Sequence, residues 1–416
     1  MKKYLLLLLV LALSFTTAFA ADENTIIIKT SKPVGTTVSL DAYTASKDEA
    51  FTVDWGDGEE KTYNVDPDGW GYSRRIKTEI KGSTITIKGK LVNFDLTKAG
   101  ITSVDLHGQT ALKEINLEEN EIATFKQDGM PALTKLNLKD NKLTTFSGTG
   151  MTSLNTLKLQ GNQLDSYEFD ITDASATLTE LNVSDNGDKF INLNLIPFTA
   201  LEYFYCDNNP EFTTAVFADD NENIEKISMN NCHVMHFYSR SFPNLYSLNL
   251  SNNALFDLEE GNYPKLSTLS IDHNYLTTLD VTKFPKLENL YCGNNNITLL
   301  NVGNNPGLLT LNCDSLDITK LDLSNNKDLS YLSVNGTKLT QLDIRGKNSI
   351  TKLNISNTAI RYIDLEDQYS LRDFRARNTQ CEFFYFNYIS SWGRFNYVDI
   401  RDNKKMTGNS MNFTLH

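Results

Sequence analysis

The sequence predicts a mostly β protein, in which about fifteen coils of chain form a solenoid with a concave parallel sheet, after a small β-sandwich-like domain. Apolar residues recur in the frame L-x-x-L-x-L, with starts mostly 21 residues apart, as at Leu266, Leu287 and Leu308. An asparagine often follows the frame by three positions. Residues 21–88 lack the frame and consist of short β-like runs between Gly, Asp and Pro turns. Together these observations predict both parts of the fold.

The start of the chain has the pattern of an export signal. Two lysines precede an apolar run over residues 4–19, and residues 18–20, Ala-Phe-Ala, form a small-x-small cleavage site. The run is too short for a comfortable membrane span, and no second apolar run of about twenty residues follows it. We therefore expect residues 1–20 to be a signal peptide. The protein is then exported, and it is either secreted or held on the outer cell surface, with the periplasm as a further compartment that fits.

Residues 21–88 are predicted to form a β cap over the first coil, because a solenoid needs its exposed end covered. The expected strands are 25–29, 37–43, 51–55, 61–65, 76–80 and 84–88. Asp57-Gly58 is a good turn. The acidic residues Asp54, Asp57, Asp66 and Asp68 raise the alternative of a calcium site, but they lack EF-hand spacing, so turn chemistry is favoured.

Residues 89–416 are predicted to form the solenoid. In the frame L-x-x-L-x-L the apolar residues lie on one face of a short strand, and successive strands stack in parallel about 4.8 Å apart. The asparagine after the strand turns inward, where its amide bonds backbone groups of neighbouring coils. These ladder residues are Asn120, Asn141, Asn162, Asn186, Asn209, Asn253, Asn274, Asn295 and Asn403. At the same position, hydrogen-bonding replacements are Cys232, Thr337, Thr358 and Thr379, whereas Leu316 cannot form the bond.

The outer half of each coil is predicted to be short strand or extended chain without helices. Only about ten residues separate one inner strand from the next, which is too few for an α-helix with its two turns. Asp322, Asp343 and Asp364 would stack on this outer side. They fit either a cation site or solvated acids that bond turn amides, and the second interpretation is favoured.

Three coils are longer than the others. Starts at 154, 178, 201 and 224 are spaced 24, 23 and 23 residues apart, which adds residues around 165–177, Ile196 and 217–223. Insertions in a solenoid map to loops that often border a binding face. They are equally compatible with drift without consequence.

The unit from Asn274 to Asn294, NYLTTLDVTKFPKLENLYCGN, resembles the 21-residue repeat of secreted leucine-rich-repeat proteins of gut Bacteroidetes and, more distantly, the internalin type. The resemblance covers roughly residues 85–416. It implies an exported binding or adhesion protein without catalytic residues. Separately, the segment VDWGDG at 53–58 resembles the hairpin of PKD-like, immunoglobulin-style modules of bacterial surface proteins.

The end of the solenoid is dense in aromatic residues between Cys381 and Tyr397. Most of them are explained by a C-terminal cap over the last coil. A contact surface for another chain is the alternative.

Charge and cysteine content restrict the partners and the chemistry. The formal net charge of −13 disfavours nucleic acid, because an acidic surface repels phosphate backbones. Five cysteines in an exported protein would ordinarily indicate disulfides with one thiol left over. In the repeat frame, however, Cys206, Cys292 and Cys313 fall on inward strand positions, and Cys232 and Cys381 on other buried positions. We therefore interpret the five cysteines as small hydrophobic residues.

The candidate binding surface is the solvent-facing side of the concave sheet. Its positions are mostly Asn, Ser, Thr and Lys, and against that background tyrosines and Arg/Asp pairs stand out. Such side chains suit sugar rings and protein hot spots alike. Equally, tyrosine is a good strand former, and the charged residues fit simple cross-strand ion pairs. The candidate ligand contacts are Tyr203, Tyr205, Asp207, Tyr291, Tyr331, Asp373, Arg375, Arg377, Tyr397, Asp399 and Arg401.

No catalytic motif or cofactor signature is present in the sequence. His233 and His236 lie near Cys232, but the ladder register turns that cysteine inward, so a metal site is disfavoured. We expect a non-enzymatic protein that binds an extracellular protein on its concave sheet. A glycan-binding surface protein is the alternative, and a structural or assembly protein without soluble ligand is a third. The sequence does not indicate the oligomeric state.

Overall fold

The computed structural model describes residues 24–46, 48–64, 73–127, 129–237, 241–258, 261–366, 368–385 and 395–406. The predicted signal peptide, the acids Asp66 and Asp68, and residues 386–394 of the predicted aromatic cap lie outside the described residues. The chain forms two compact units, of which the first ends at Leu133 and the second begins at Thr134. The predicted domain boundary between residues 88 and 89 stays a prediction.

The described part of the first unit contains ten strands. They are β1 (Thr25–Thr30), β2 (Thr37–Thr44), β3 (Ala50–Asp54), β4 (Glu60–Asn64), β5 (Ser73–Glu79), β6 (Thr84–Lys88), β7 (Leu91–Asp95), β8 (Ile101–Asp105), β9 (Glu114–Asn116) and β10 (Thr124–Lys126). The six strands predicted before residue 89 are confirmed, with small shifts at their ends. Their alternating apolar residues explain the folding, since Ile26, Ile28, Ile85 and Ile87 are all fully buried.

The strands of the first unit form two sheets that continue into the first coils. One sheet has the order β10-β8-β1-β6-β3-β4, and the other has the order β5-β2-β7-β9. Strands β7 and β9 carry the repeat frame, and β7 pairs antiparallel with β2. Strand β8, from the outer half of the same coil, pairs antiparallel with β1. The N-terminal region is therefore joined to the first coils by hydrogen bonding along both sheets.

The acidic turn between β3 and β4 is held by its own hydrogen bonds. Asp54 Oδ1 accepts from the amides of Gly56 (2.8 Å) and Gly58 (3.0 Å), and Asp57 pairs with Lys81. These contacts occupy both carboxylates within the described part of the turn. For Asp54 and Asp57 they support turn chemistry over a calcium site.

The second unit repeats one coil design throughout its described length. Its strands are β11 (Lys135–Asn137), β12 (Phe146–Ser147), β13 (Thr156–Lys158), β14 (Phe169–Asp170), β15 (Glu180–Asn182), β16 (Asn192–Asn194), β17 (Tyr203–Tyr205), β18 (Thr214–Val216), β19 (Lys226–Ser228), β20 (Ser247–Asn249), β21 (Thr268–Ser270), β22 (Asn289–Tyr291), β23 (Thr310–Asn312), β24 (Tyr331–Ser333), β25 (Lys352–Asn354), β26 (Tyr362–Asp364), β27 (Asp373–Arg375), β28 (Phe383–Tyr385) and β29 (Tyr397–Asp399). Single 3₁₀ turns lie at Ser166–Glu168, Thr172–Ala174 and Val281–Lys283.

Thirteen of these strands form one parallel sheet, which we call the long sheet: β11, β13, β15, β17, β19, β20 to β25, β27 and β29. The register pairs equivalent positions of successive repeats, as in Leu269 with Leu290 and Leu290 with Leu311. The outer half-coils contain only short strands, 3₁₀ turns and extended chain among the described residues. The predicted mostly β solenoid without outer helices is confirmed.

The predicted asparagine ladder is confirmed. Asn274 is typical: its Nδ2 donates to the carbonyls of Leu250 (2.9 Å) and Ile271 (3.0 Å), and its Oδ1 accepts from the amide of Leu255 (3.0 Å). The threonine replacements make fewer such bonds, since the hydroxyl of Thr337 donates to a carbonyl of its own coil at 2.8 Å. The ladder therefore bonds backbone groups that the strands leave unpaired inside the solenoid.

The five cysteines are all free thiols. Four of them are buried, as predicted, and burial raises the pKa of Cys292 and Cys313. The prediction of full burial is wrong for Cys232, which is half-buried. Its Sγ occupies the ladder position and donates to the carbonyl of Cys206 at 3.1 Å, but a thiol is shorter than an amide and does not fill the position completely.

The inserted residues lie in outer half-coils. Residues 165–177 hold two of the 3₁₀ turns together with β14. In these longer coils phenylalanine rings of neighbouring coils pack together, since the ring of Phe190 lies 5.5 Å from that of Phe169 and 5.9 Å from that of Phe212. The insertions are thus accompanied by a row of contacting phenylalanine rings.

Candidate functional site

The long sheet presents two columns of solvent-facing side chains, from the first and third residue of each strand. Because the register is kept from coil to coil, a residue in one column lies beside the residue 21 positions later in a regular repeat. Neighbouring parallel strands are about 4.8 Å apart, so these side chains are in contact range. All eleven candidate ligand contacts from the sequence lie in the described part of the chain.

Tyr203, Tyr205 and Asp207 are engaged by side chains and backbone of the next coil. The hydroxyl of Tyr203 donates to Glu225 Oε2 at 2.7 Å, which raises the pKa of the phenol to about 12. Lys226 places its ammonium 5.2 Å from the ring centre of Tyr205. The carboxylate of Asp207 accepts from a serine hydroxyl at 2.7 Å and from a backbone amide at 2.6 Å. Much of the polar surface of this trio is therefore already bound within the protein.

A pocket lies further along the long sheet, on β24, β25 and β27. It has a volume of about 240 Å³ and is lined by Tyr331, Lys352, Leu353, Asn354, Asp373 and Arg375. We call this set the β25 pocket. Tyr331 is half-buried, and burial is the main cause of its raised pKa. The structure thus brings together three residues that the sequence analysis selected, while Tyr291 is half-buried on β22 and does not line the pocket.

Arg375 is held in place from two sides. Its Nε and Nη2 donate to the two carboxylate oxygens of Asp373, each at 3.0 Å, and its guanidinium lies 4.8 Å from the ring centre of Tyr397. Both partners lie on strands of the long sheet, so the position of the guanidinium is set by the fold. A preformed arginine loses less freedom when it binds a ligand.

The expectation of cross-strand ion pairs is wrong for two of the three arginines, Arg375 and Arg401. Arg375 pairs with Asp373, and Arg401 pairs with Asp399 at 2.8 and 2.7 Å, in both cases along one strand. Residues two apart on a strand project from the same face, and an arginine is long enough to reach back. Of the three, Arg377 alone forms its ion pair with the next coil, where its Nε donates to Asp402 at 2.6 Å.

The sequence analysis missed Lys352 and Asn354, which form the floor of the β25 pocket. The signal was present in the repeat: Lys352 stands 21 residues after Tyr331 and 21 before Asp373, in the same column. The Lys352 side chain is exposed, and its ammonium makes no hydrogen bond or ion pair within the described residues. Polar residues are common on this face, so neither residue stood out by type.

The other candidate sites are explained by local contacts. Asp322 and Asp343 accept from backbone amides two residues later, at 2.9 and 3.0 Å, which supports the turn interpretation of the outer acids. Arg345 also bonds Asp343 and lowers the pKa of that carboxyl to about 2. His236 lies 3.6 Å from Asp257. In the part of the chain that the structure describes, no group of three metal-binding side chains is found.

Among the residues that the structure describes, no helix has the length and apolarity that crossing a bilayer requires.

Comparison with known proteins agrees with the coil geometry. A family model described as leucine rich repeat matches residues 110–164. The functional domain of InlJ from Listeria monocytogenes, which includes a cysteine ladder, is similar with a TM-score of 0.64 at 21% identity, over 76% of this chain and 74% of that chain. The Arabidopsis receptor kinase HAESA, solved with the peptide hormone IDA and the co-receptor SERK1, is similar with a TM-score of 0.50 at 19% identity, over 71% of this chain and 54% of that chain.

None of the curated proteins matches the chain in sequence. At these identities the solved structures bear on the fold alone. Together with the 21-residue register and the inward asparagines, they show that the chain has a leucine-rich-repeat fold.

Proposed function

We propose that this chain is an exported, non-enzymatic binding protein that holds a protein ligand on the exposed face of its long sheet. The observation that carries the proposal is the β25 pocket, where an aromatic ring and two cationic side chains converge on a rigid sheet. Tyrosine and arginine are among the residue types that contribute most to the binding energy of protein interfaces. Export rests on the predicted signal peptide over residues 1–20 and on the resemblance to secreted leucine-rich-repeat proteins.

The pocket is suited to recognition because its side chains are positioned before any ligand arrives. Arg375 is fixed by Asp373 and by the ring of Tyr397, and Tyr331 is half-buried between neighbouring strands. Fixed side chains reduce the entropy that binding costs. The backbone of the long sheet is also fully paired along β24, β25 and β27, which gives the pocket a stiff floor.

The fold is a protein-binding fold in other organisms. The HAESA structure, for example, contains a peptide hormone and a co-receptor, and this supports a protein ligand here by analogy. A shallow surface of this kind also suits binding better than catalysis, which requires a deep site that excludes water. No cofactor is part of the proposal.

The test uses the full chain against an array of extracellular proteins and a parallel glycan array. We expect saturable binding to a protein, and we expect Tyr331→Ala and Arg375→Ala each to weaken it about tenfold or more. Tyr275→Ala is the matched control, because Tyr275 is 53% exposed but lies outside the long sheet. Protein binding that both pocket substitutions leave unchanged would contradict the proposal.

Two other outcomes would replace it. Glycan binding that is lost with Tyr203→Ala plus Tyr205→Ala and kept with Arg375→Ala would indicate a glycan-binding surface protein. Saturable binding to neither array would favour a structural or assembly role without soluble ligand.

A further inference from the structure

The geometry of the β25 pocket points to a narrower ligand class: we propose that it binds a carboxylate of an acidic protein segment, with Lys352 and Asn354 as the direct contacts. This inference rests on the proposed function, since it specifies which chemical group of a protein ligand enters the pocket. It concerns two residues that no pattern in the sequence had singled out.

The first step is the charge balance of the pocket. Asp373 uses both carboxylate oxygens for Arg375, each at 3.0 Å, so these two charges offset each other. Lys352 lies beside Asp373 in the register, yet its ammonium has no ion-pair partner among the described residues. The lining of the pocket therefore carries one unmatched positive charge, on an exposed and freely accessible side chain.

A further carboxylate, Asp314, lies close enough to Tyr331 to influence its pKa, and its bonds show why it does not balance Lys352. It accepts from the Ser333 hydroxyl at 2.6 Å and from the amide of Asn335 at 2.8 Å. Burial raises the pKa of this carboxyl. Both bonds are accepted by Oδ1 and come from the next coil, and Asp314 makes no ion pair with Lys352 among the described residues.

The second step is the orientation of Asn354. Its Oδ1 accepts from the amide of Ser356 at 3.1 Å, which fixes which end of the side-chain amide is engaged. Its Nδ2 donates no hydrogen bond within the described residues, so two N–H groups remain available to the pocket. Lys352 and Asn354 stand two residues apart on β25 and project from the same face. An acceptor with two oxygens can bond both.

The third step distinguishes a carboxylate from a phosphate or sulfate group. A phosphate group carries close to two negative charges and three strong acceptor oxygens, whereas the pocket supplies one unmatched positive charge, and Asp373 already occupies Nε and Nη2 of Arg375. What the pocket offers is one point charge, one amide donor and the ring of Tyr331. A planar carboxylate on a short aliphatic stem, as in Asp or Glu, matches these three features.

The test selects peptides from a displayed library of random linear sequences on the full chain. We expect the selected peptides to share an Asp or Glu, and Lys352→Met to weaken their binding about tenfold to hundredfold. Changing the shared acid to its amide is expected to cost as much as Lys352→Met, with little further loss when both changes are combined. Lys226→Met is the matched control, because Lys226 occupies the same strand position on β19.

The outcomes separate this inference from the proposed function. Peptides that lose binding with Tyr331→Ala but are indifferent to Lys352→Met would overturn the carboxylate assignment alone. Failure to select any peptide, or selection without an acidic residue, would also overturn it. Binding that survives Tyr331→Ala, Arg375→Ala and Lys352→Met alike would overturn both the assignment and the proposed function.

Discussion

Asn274 provides the sharpest test of how the solenoid is held together. The residue is only 5% exposed, and its side chain bonds four backbone groups: the carbonyls of Leu250, Ile271 and Asp272 at 2.9, 3.0 and 3.3 Å and the amide of Leu255 at 3.0 Å. Alanine in its place removes all four bonds and supplies no other partner. Each buried backbone group left unbonded costs about 1–3 kcal/mol, and partial relaxation brings the expected total to about 3–5 kcal/mol.

The loss is best measured where it occurs. Amide hydrogen exchange followed by mass spectrometry reports the opening free energy of the segment around Leu255, and the urea midpoint reports the whole chain. Asn274→Thr is the graded control, because Thr337 holds the same position elsewhere through a single bond to its own coil. We expect threonine to recover part of the loss. A loss below about 1 kcal/mol for alanine, or equal losses for alanine and threonine, would refute the hydrogen-bond reasoning.

Three further predictions follow from close contacts and shifted pKa values. Gly293→Ala should destabilise the fold by about 1–3 kcal/mol in urea unfolding, since a Cβ there would lie 2.9 Å from the backbone of the next coil. Gly307→Ala is the control and should be neutral, because the space around Gly307 is open. The pKa of Tyr203 is raised to about 12, so its hydrogen bond stabilises the fold fully below pH 10, and this stabilisation is lost as the pH rises from 10 to 12. NMR titration of the phenol should give the raised pKa, and Glu225→Gln should return that pKa towards 10. Of the five thiols, Cys232 should be alkylated first in the native protein, because the others are buried; peptide mapping that finds another cysteine modified first would contradict the burial pattern.

The periodicity of the sequence was sufficient to predict the coils. The inward apolar residues Leu266, Leu269 and Ile271 are all fully buried. A 21-residue repeat of strand-forming residues has few other ways to remove its apolar face from water. The ladder asparagines followed from the same register. A related regularity escaped notice: the residue just before the ladder position has positive φ, as at Asn252 (55°) and His273 (55°), which is why Asn, Asp and Gly are common there.

The pairing of individual side chains was not predictable in the same way. Column positions followed from the register, but whether Arg375 turned along its own strand or towards the next depended on rotamers and on the ring of Tyr397. Similarly, nothing in the residue types indicated that Tyr203 would be captured by Glu225. Lys352 was missed because its distinguishing feature is the lack of an ion pair among the described residues, which the sequence does not reveal.

The junction in the first unit has a consequence for dividing the chain. Strands β1 and β2 lie in sheets whose next members, β8 and β7, already belong to the coils, so a cut between β6 and β7 would separate strands that are paired. A fragment beginning at residue 89 would expose two unpaired strand edges. Each edge is a site for pairing with another chain and hence for aggregation. A repeat region transferred to another protein should therefore retain strands β1 and β2, with which the first coils pair.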